Sequence, residues 1–153
     1  MKLPPNELMV RRYRAGLGRM AGRMILLLTT QGRKTGKTHT VAVQYERMDG
    51  NYWVAAAGGQ KSDWFRNIQA NPKIEIEIGS KKITCNAEPV LDVEAITRFL
   101  EYRLKRHPLM ISVILKMDGV SFHPSHQELL EYARGLAMVK ITPRADETDR
   151  TVN

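Results

Sequence analysis

The run Ile74-Glu75-Ile76-Glu77-Ile78, the turn Gly79-Ser80 and the return Lys82–Val90 read as an antiparallel β-hairpin. A period of two puts the isoleucines on one face, and a two-residue turn is too short for the crossover that a parallel pair needs. A second hairpin is marked by Met48-Asp49-Gly50-Asn51, because Asp-Gly accepts the positive φ angles of a tight reversal. It joins strands predicted over Thr40–Met48 and Tyr52–Ala57. With strands also expected at Leu26–Thr30 and Leu136–Thr142, the chain is held to a mainly antiparallel β core of the α+β class.

Helices attach to this core. Ser62 is placed to cap a short helix that starts at Asp63 and ends before Asn71-Pro72. Asp92 opens a helix carrying Val93, Ile96, Leu100 and Leu104 on one face, and Pro108 follows its end. A further helix is predicted near Met110–Met117, and Ser125-His126-Gln127-Glu128 is a capping box opening another that stops at Gly135. A chain of 153 residues with 42% apolar content can bury one substantial core. The expectation is a single domain over residues 1–142, with a polar tail over 143–153.

The balance of 24 Lys+Arg against 16 Asp+Glu gives +8, which favours acidic partners. Much of the excess lies at about residues 6–24, where Met9, Tyr13, Leu17, Met20 and Met24 recur at helical spacing. Arg11, Arg12, Arg14, Arg19 and Arg23 point away from them on an unbroken helix. Such a basic amphipathic helix serves as a peripheral contact to a membrane surface, as a nucleic-acid face, as one wall of a groove for an acidic ligand, or as a packed helix with a solvated arginine face. Gly16, Gly18 and Gly22 weaken it in isolation, so it needs the domain to support it. No signal-peptide pattern is expected, the apolar runs Met24–Leu28 and Leu109–Met117 are too short to cross a bilayer, and the single cysteine, Cys85, is a packing residue compatible with a reducing cytosol.

The turn Thr30-Gln31-Gly32-Arg33-Lys34-Thr35-Gly36-Lys37-Thr38 gathers three cations, three hydroxyls and two glycines in nine residues. That is the donor chemistry for an anionic group such as a phosphate; a solvated hairpin tip is the alternative. A nucleotide P-loop is excluded, because only three residues separate Gly32 from Gly36 and a strand, not a helix, follows. Other catalytic patterns are missing too. Gly119-Val120-Ser121-Phe122-His123 lacks the closing glycine of a nucleophile elbow, and no Cys-x-x-Cys or His-Glu-x-x-His occurs. Pro124 separates His123 from His126, while His39 and His107 stand alone, so no metal site is expected. Any hard chemistry is assigned to a bound cofactor, with no catalytic side chain named.

The ordered blocks Leu26–Gly36, Thr40-Val41, Gly58-Gly59, Lys61–Ile68 and Ala70-Asn71-Pro72 resemble the deazaflavin (F420)-dependent nitroreductase and quinone reductase family of the flavin-binding split-barrel superfamily. The resemblance implies a split β-barrel of the FMN-binding type with peripheral helices. It implies coenzyme F420, with FMN as the alternative cofactor, and hydride transfer to a quinone, nitroaromatic or activated alkene. By the same resemblance Arg33, Lys34 and Thr35 hold the cofactor phosphate with support from Thr38 and Thr40. Backbone around Val41-Ala42-Val43 and Ala57-Gly58-Gly59 lines the ring, and Lys61 and Trp64 close the pocket. The chain departs from the family pattern at Ser62-Asp63, where many members carry His-Pro, and at Val41-Ala42, where many carry a pair such as Val-Pro. Tyr132 is the one C-terminal tyrosine available to touch a substrate. A small-molecule hydride acceptor, no nucleic acid and a cytoplasmic protein able to meet a membrane through its basic helix complete the expectation.

Overall fold

The computed structural model describes residues 6–56 and 58–144. Seven strands form one antiparallel sheet: β1 (Ile25–Gln31), β2 (Thr38–Gln44), β3 (Glu46–Met48), β4 (Asn51–Ala56), β5 (Lys73–Ile78), β6 (Lys81–Val90) and β7 (Ala137–Pro143). Their order in the sheet is β2-β1-β5-β6-β7-β4-β3. Both predicted hairpins form, with Asp49 at φ 54° and Gly50 at φ 77° in one and the Ile78↔Lys81 pair closing the other.

The predicted strand Thr40–Met48 is two strands. β2 lies on one edge of the sheet and β3 on the opposite edge, yet Tyr45 alone separates them. Two Cα steps reach about 7 Å at most, so the two edges must meet and the sheet curls into a half-barrel. The Tyr45 N–H donates to the Met24 carbonyl at 3.0 Å, and its hydroxyl is bonded to the Gly22 carbonyl.

The curl makes an inner and an outer core. Inside, Leu26, Leu28, Val54, Phe65, Ile68, Ile74, Ile76, Cys85, Val139 and Ile141 pack together, each at most 4% exposed. Cys85 is a core residue, as expected. Outside, α4 (Val93–Arg106), α5 (Pro108–Met117) and α6 (His126–Ala133) cover the other face through Ile96, Phe99, Leu100, Ile111, Leu115 and Leu129, with Met138 of β7. The first half of β7, Ala137-Met138-Val139, therefore reads as a continuous apolar run because both of its faces are buried there. Ser125 caps α6 by accepting the Glu128 N–H at 3.1 Å. Glu128 turns its carboxylate to the Ser121 hydroxyl and N–H instead of back to the cap, and those bonds hold it below the usual carboxylate range. The tail beyond residue 144 lies outside the described residues.

The N-terminal segment departs from one amphipathic helix. α1 (Asn6–Arg12) runs into a π-turn (Tyr13–Leu17) kinked at Gly16, where φ is 135°, before α2 (Gly18–Ala21). The kink shifts the helical phase, so Leu17 and Met20 are 40% and 83% exposed instead of facing the domain. Tyr13 does the anchoring: its hydroxyl lies 3.0 Å from the Ile25 carbonyl and 3.3 Å from that of Glu77, and accepts the Gly79 N–H at 2.9 Å. Arg14 does not simply face solvent; it pairs with Glu77 at 3.1 Å. The covering segment buries Glu77, although the strand alternation placed it outward.

Tyr13→Phe removes the partner of the half-buried Gly79 N–H, and a lost hydrogen bond of this kind costs about 0.5–1.5 kcal/mol. Urea unfolding should show that loss. Burial also raises the Tyr13 phenol above its ordinary range, so the folded state keeps a proton that the unfolded chain releases near pH 10. That share of stability is whole below about pH 10 and falls as pH rises further, so the variant's stability should decline less steeply there than the parent's.

Candidate functional site

The turn between β1 and β2 is ordered by its own backbone. The Gly32 N–H donates to the Lys37 carbonyl at 2.7 Å, and the Gly36 N–H to the Gly32 carbonyl at 2.9 Å. Thr35 adds its hydroxyl, which accepts the Lys37 N–H at 3.3 Å.

A second set of bonds comes from α3 (Asp63–Ala70). Asn67 is 3% exposed, and both the oxygen and the nitrogen of its carboxamide are engaged. The oxygen accepts from the Arg33 N–H at 3.3 Å and from Arg33 Nη1 at 2.8 Å, while the nitrogen donates to Thr30 Oγ1 at 3.1 Å. Asp63 takes Arg33 through its carbonyl at 3.3 Å and its carboxylate at 3.2 Å, and Asn71 Nδ2 donates to Gln31 Oε1 at 2.7 Å. Asp63 and Asn67 are four residues apart and present one polar face to the turn, and Asn71, just past the helix end, adds to it. Sequence reasoning missed this bracing set; the four-residue spacing of Asp63 and Asn67 is the signal that marks it.

Arg33 is thereby half committed. Its Nη1 hydrogens and one on Nη2 are taken, leaving Nε and one Nη2 hydrogen for an incoming anion. Asp63, one of the positions where the chain departs from the family pattern, offsets part of its charge. Lys34 and Lys37 are exposed and make no ion pair among the described residues. Thr38 starts β2, exposed and opposite Gln31. The Thr40 hydroxyl is shared with that of Thr29 at 2.8 Å.

The outward edge of β2 is already paired. Asn6 donates to the Thr40 carbonyl at 2.6 Å and accepts the Ala42 N–H at 3.2 Å. Val41, Val43 and Trp64 are half-buried and pack against the same inner core, and Trp64 meets Phe65 edge-on with centroids 6.4 Å apart. Gly58 is exposed and Gly59 buried. Gly59 has φ 63°, and a Cβ there would stand 2.6 Å from the Gly135 carbonyl oxygen, so this glycine serves the fold's own close approach. Lys61 is exposed at the end of the short turn Gly59–Lys61, just ahead of α3; Ala57 lies outside the described residues.

The remaining candidates lie elsewhere. Tyr132 belongs to the helical cluster, where its hydroxyl bonds Asp118 Oδ2 at 2.6 Å; burial first, then that carboxylate, push its phenol far up. His107 does not stand alone, since its ring lies 3.4 Å from buried Glu46, and His126 is bonded to Glu101. Among the described residues no group of three or more His, Cys, Asp or Glu side chains is arranged to hold a metal ion.

Asn67→Leu keeps the volume but leaves the Thr30 hydroxyl and the Arg33 N–H without their partner, at a cost of about 1–3 kcal/mol. Asp63→Ala removes only an exposed ion pair and should cost less than about 1 kcal/mol. Denaturant unfolding separates the two, and amide exchange at Arg33 should accelerate in the Asn67 variant alone.

Residues 6–108 match the F420H(2)-dependent quinone reductase family, a span holding the turn, α3 and both hairpins. An F420H(2)-dependent quinone reductase of Mycobacterium tuberculosis and a putative one of Mycobacterium bovis are each 35% identical over 86 residues, 51% of this chain and 58% of theirs. The match thus spans little more than half the length of these relatives. Among solved structures, an F420-H2 dependent reductase superposes with a TM-score of 0.52 at 20% identity, covering 78% of this chain and 94% of that one. A putative pyridoxamine 5'-phosphate oxidase from Listeria innocua gives 0.55 at 15% identity, covering 84% and 90%. These likenesses bear on the fold, which is the split barrel. With two thirds of its length inside the family match, the chain is a member of the F420H(2)-dependent quinone reductase family.

Proposed function

We propose that this chain binds reduced coenzyme F420, an 8-hydroxy-5-deazaflavin, and serves its hydride transfer to a quinone. The observation that carries the proposal is the basic turn, braced on two sides before a ligand arrives, within the span that matches the family. The donor set fits the cofactor's phosphate: Lys34 and Lys37 are uncommitted cations, Arg33 retains two N–H donors, and Thr35 and Thr38 add hydroxyls. Preorganisation matters because each charge-assisted bond then forms with little further loss of chain entropy.

When bound, the reduced deazaflavin supplies the hydride. The chain's own part is to bind, orient and exclude water. Lys34 and Arg33 fix the phosphate, Thr38 and Thr40 support them, and Lys61 extends the basic rim. Val41, Val43 and Trp64 would offer an apolar wall to the ring, and the backbone of Gly58-Gly59 would line it. The outward groups of β2 are satisfied by Asn6, so a ring edge carrying an adjacent donor and acceptor would replace that carboxamide at Thr40 and Ala42. The net charge of +8 suits a cofactor with extra carboxylates on its tail better than FMN, which offers the turn the same phosphate. Nitroaromatics and activated alkenes are further acceptors that the same arrangement admits.

Fluorescence titration with F420 and with FMN tests the cofactor. F420 should bind at low micromolar levels or better and FMN more weakly. Lys34→Ala and Arg33→Ala should each weaken F420 by roughly ten- to a hundredfold, Lys34 by more because Asp63 already shares Arg33. Wild-type affinity in both variants would reduce the turn to a solvated hairpin tip. Turnover of menadione, a simple quinone, tests the positioning role. Trp64→Ala should lose on the order of a hundredfold in rate. His39→Ala, His123→Ala and His126→Ala should stay near the parent, and a collapse in any of these at unchanged F420 affinity would show that a protein proton donor is needed.

A further inference from the structure

A cavity of about 690 Å³ opens at the far end of the β1–β2 hairpin from the basic turn. β1 has seven residues, so at about 3.3 Å per residue the two lie roughly 20 Å apart. The volume falls in the range that encloses a small organic ligand, about 300–1,000 Å³.

Its floor is apolar and aromatic. Tyr45 and Tyr52 meet edge-on with centroids 5.8 Å apart, and Ile78, Ile83 and Met24 complete the lining. Its rim is cationic. Arg23, Arg47 and Lys81 make no ion pair among the described residues, and the Arg47 guanidinium lies 5.4 Å from the Tyr52 ring centroid. The one carboxylate in the lining, Glu46, is 4% exposed and already served by Arg103 at 3.3 Å, Arg106 at 3.4 Å and the His107 ring at 3.4 Å. It therefore leaves the three rim cations uncompensated. The Tyr45 hydroxyl is likewise committed, to the Gly22 carbonyl.

We infer that this cavity is a second binding site, for a small aromatic carboxylate. The flat body rests against Tyr45, Ile78 and Ile83, where burial of apolar surface supplies affinity without direction. The carboxylate faces Arg23, Arg47 and Lys81, which supply direction and selectivity. Arg47 is suited to lead, since a guanidinium fork matches a carboxylate in two parallel bonds and its stacking on Tyr52 limits its freedom. A neutral analogue of the same shape keeps the apolar contacts and forfeits the charged ones. None of this rests on the cofactor reading, because no residue of the basic turn lines the cavity.

The test is isothermal titration of the full chain with 2-naphthoate and with 2-naphthamide, its uncharged counterpart. Naphthoate should bind at least about tenfold more tightly, since one charge-assisted bond is worth about that factor. Its affinity should fall as salt is raised. Arg47→Ala should weaken it by about tenfold or more, and Lys81→Ala and Arg23→Ala, on exposed side chains that no other group needs, should each weaken it by a smaller factor. All three should keep the parent's affinity for F420. Equal binding of acid and amide, absence of naphthoate binding, or parental affinity in all three variants would each overturn the assignment.

Discussion

The single residue between β2 and β3 is the constraint on which the rest of this structure depends. Seven strands in one antiparallel sheet have two free edges, and free edges carry unpaired backbone groups that invite association. Here the chain leaves one edge at Gln44 and joins the other at Glu46, so Tyr45 holds the edges together covalently. The inner core follows, because only a curled sheet can turn Leu28, Ile76, Val54 and Val139 toward one another. The outer core follows as well. Curling turns the other face of β4 and β7 outward as a convex surface, which α4, α5 and α6 cover. Glu46, the first residue after the junction, is buried against Arg103, Arg106 and His107, so the same point ties the barrel to the end of α4. A buried carboxylate is tolerable there because its oxygens find two guanidinium groups and an imidazole.

The basic turn shows the same economy at the other end of the hairpin. A loop of lysines, threonines and glycines has no apolar surface with which to fix itself, and cation repulsion works against compactness. Order has to come from hydrogen bonds. The backbone pair Gly32 to Lys37 closes the loop, and the Asn67 carboxamide joins it to β1 by bonding Arg33 and Thr30 together. A carboxamide suits this place better than a carboxylate, since it both donates and accepts without adding charge beside a site meant for an anion. Asp63, exposed at the start of α3, holds Arg33 at lower cost in local potential than a buried acid would.

Much of this was legible in the sequence, and the failures share one cause. The two hairpins could be read because turn chemistry and period-two alternation are local. The helices after Ser62, Asp92 and Ser125 could be read for the same reason. What failed was partner choice. Nothing in Gln44-Tyr45-Glu46 interrupts the alternation, so the strand looked continuous although its neighbours change sides completely. Glu77 looked outward until Tyr13 and Arg14 arrived from sixty residues away to cover it. In the N-terminal segment the helical spacing continues through Gly16, and only the kink at that glycine, which the domain sets, exposes Met20. At the site, the turn announced its chemistry through composition, and the brace did not, because Asn67 is ordinary in a helix until the topology sets it against Thr30.

Two groups of exposed cations stand toward opposite ends of one hairpin, and their separation bears on how the chain can work. Lys34 and Lys37 stand at the β1–β2 turn, while Arg23, Arg47 and Lys81 stand at the opposite rim, roughly 20 Å away by strand geometry. Charges that far apart lie beyond the Debye length of about 8 Å at physiological ionic strength, so each cluster acts on its own ligand. The β1–β2 hairpin between them packs one face on the inner core through Leu26, Leu28, Val41 and Val43. Besides the hairpin itself, the N-terminal segment reaches toward both ends. Asn6 of α1 is bonded to β2 at Thr40 and Ala42, and Arg23, just after α2, lines the far cavity. The kinked N-terminal segment is the thinner, less buried part of the molecule, anchored mainly by Tyr13 and the Arg14–Glu77 pair. Freeing Asn6 from β2 would expose the Thr40 carbonyl and the Ala42 N–H, while Tyr13 and Arg14 hold the rest of the segment on Ile25, Glu77 and Gly79.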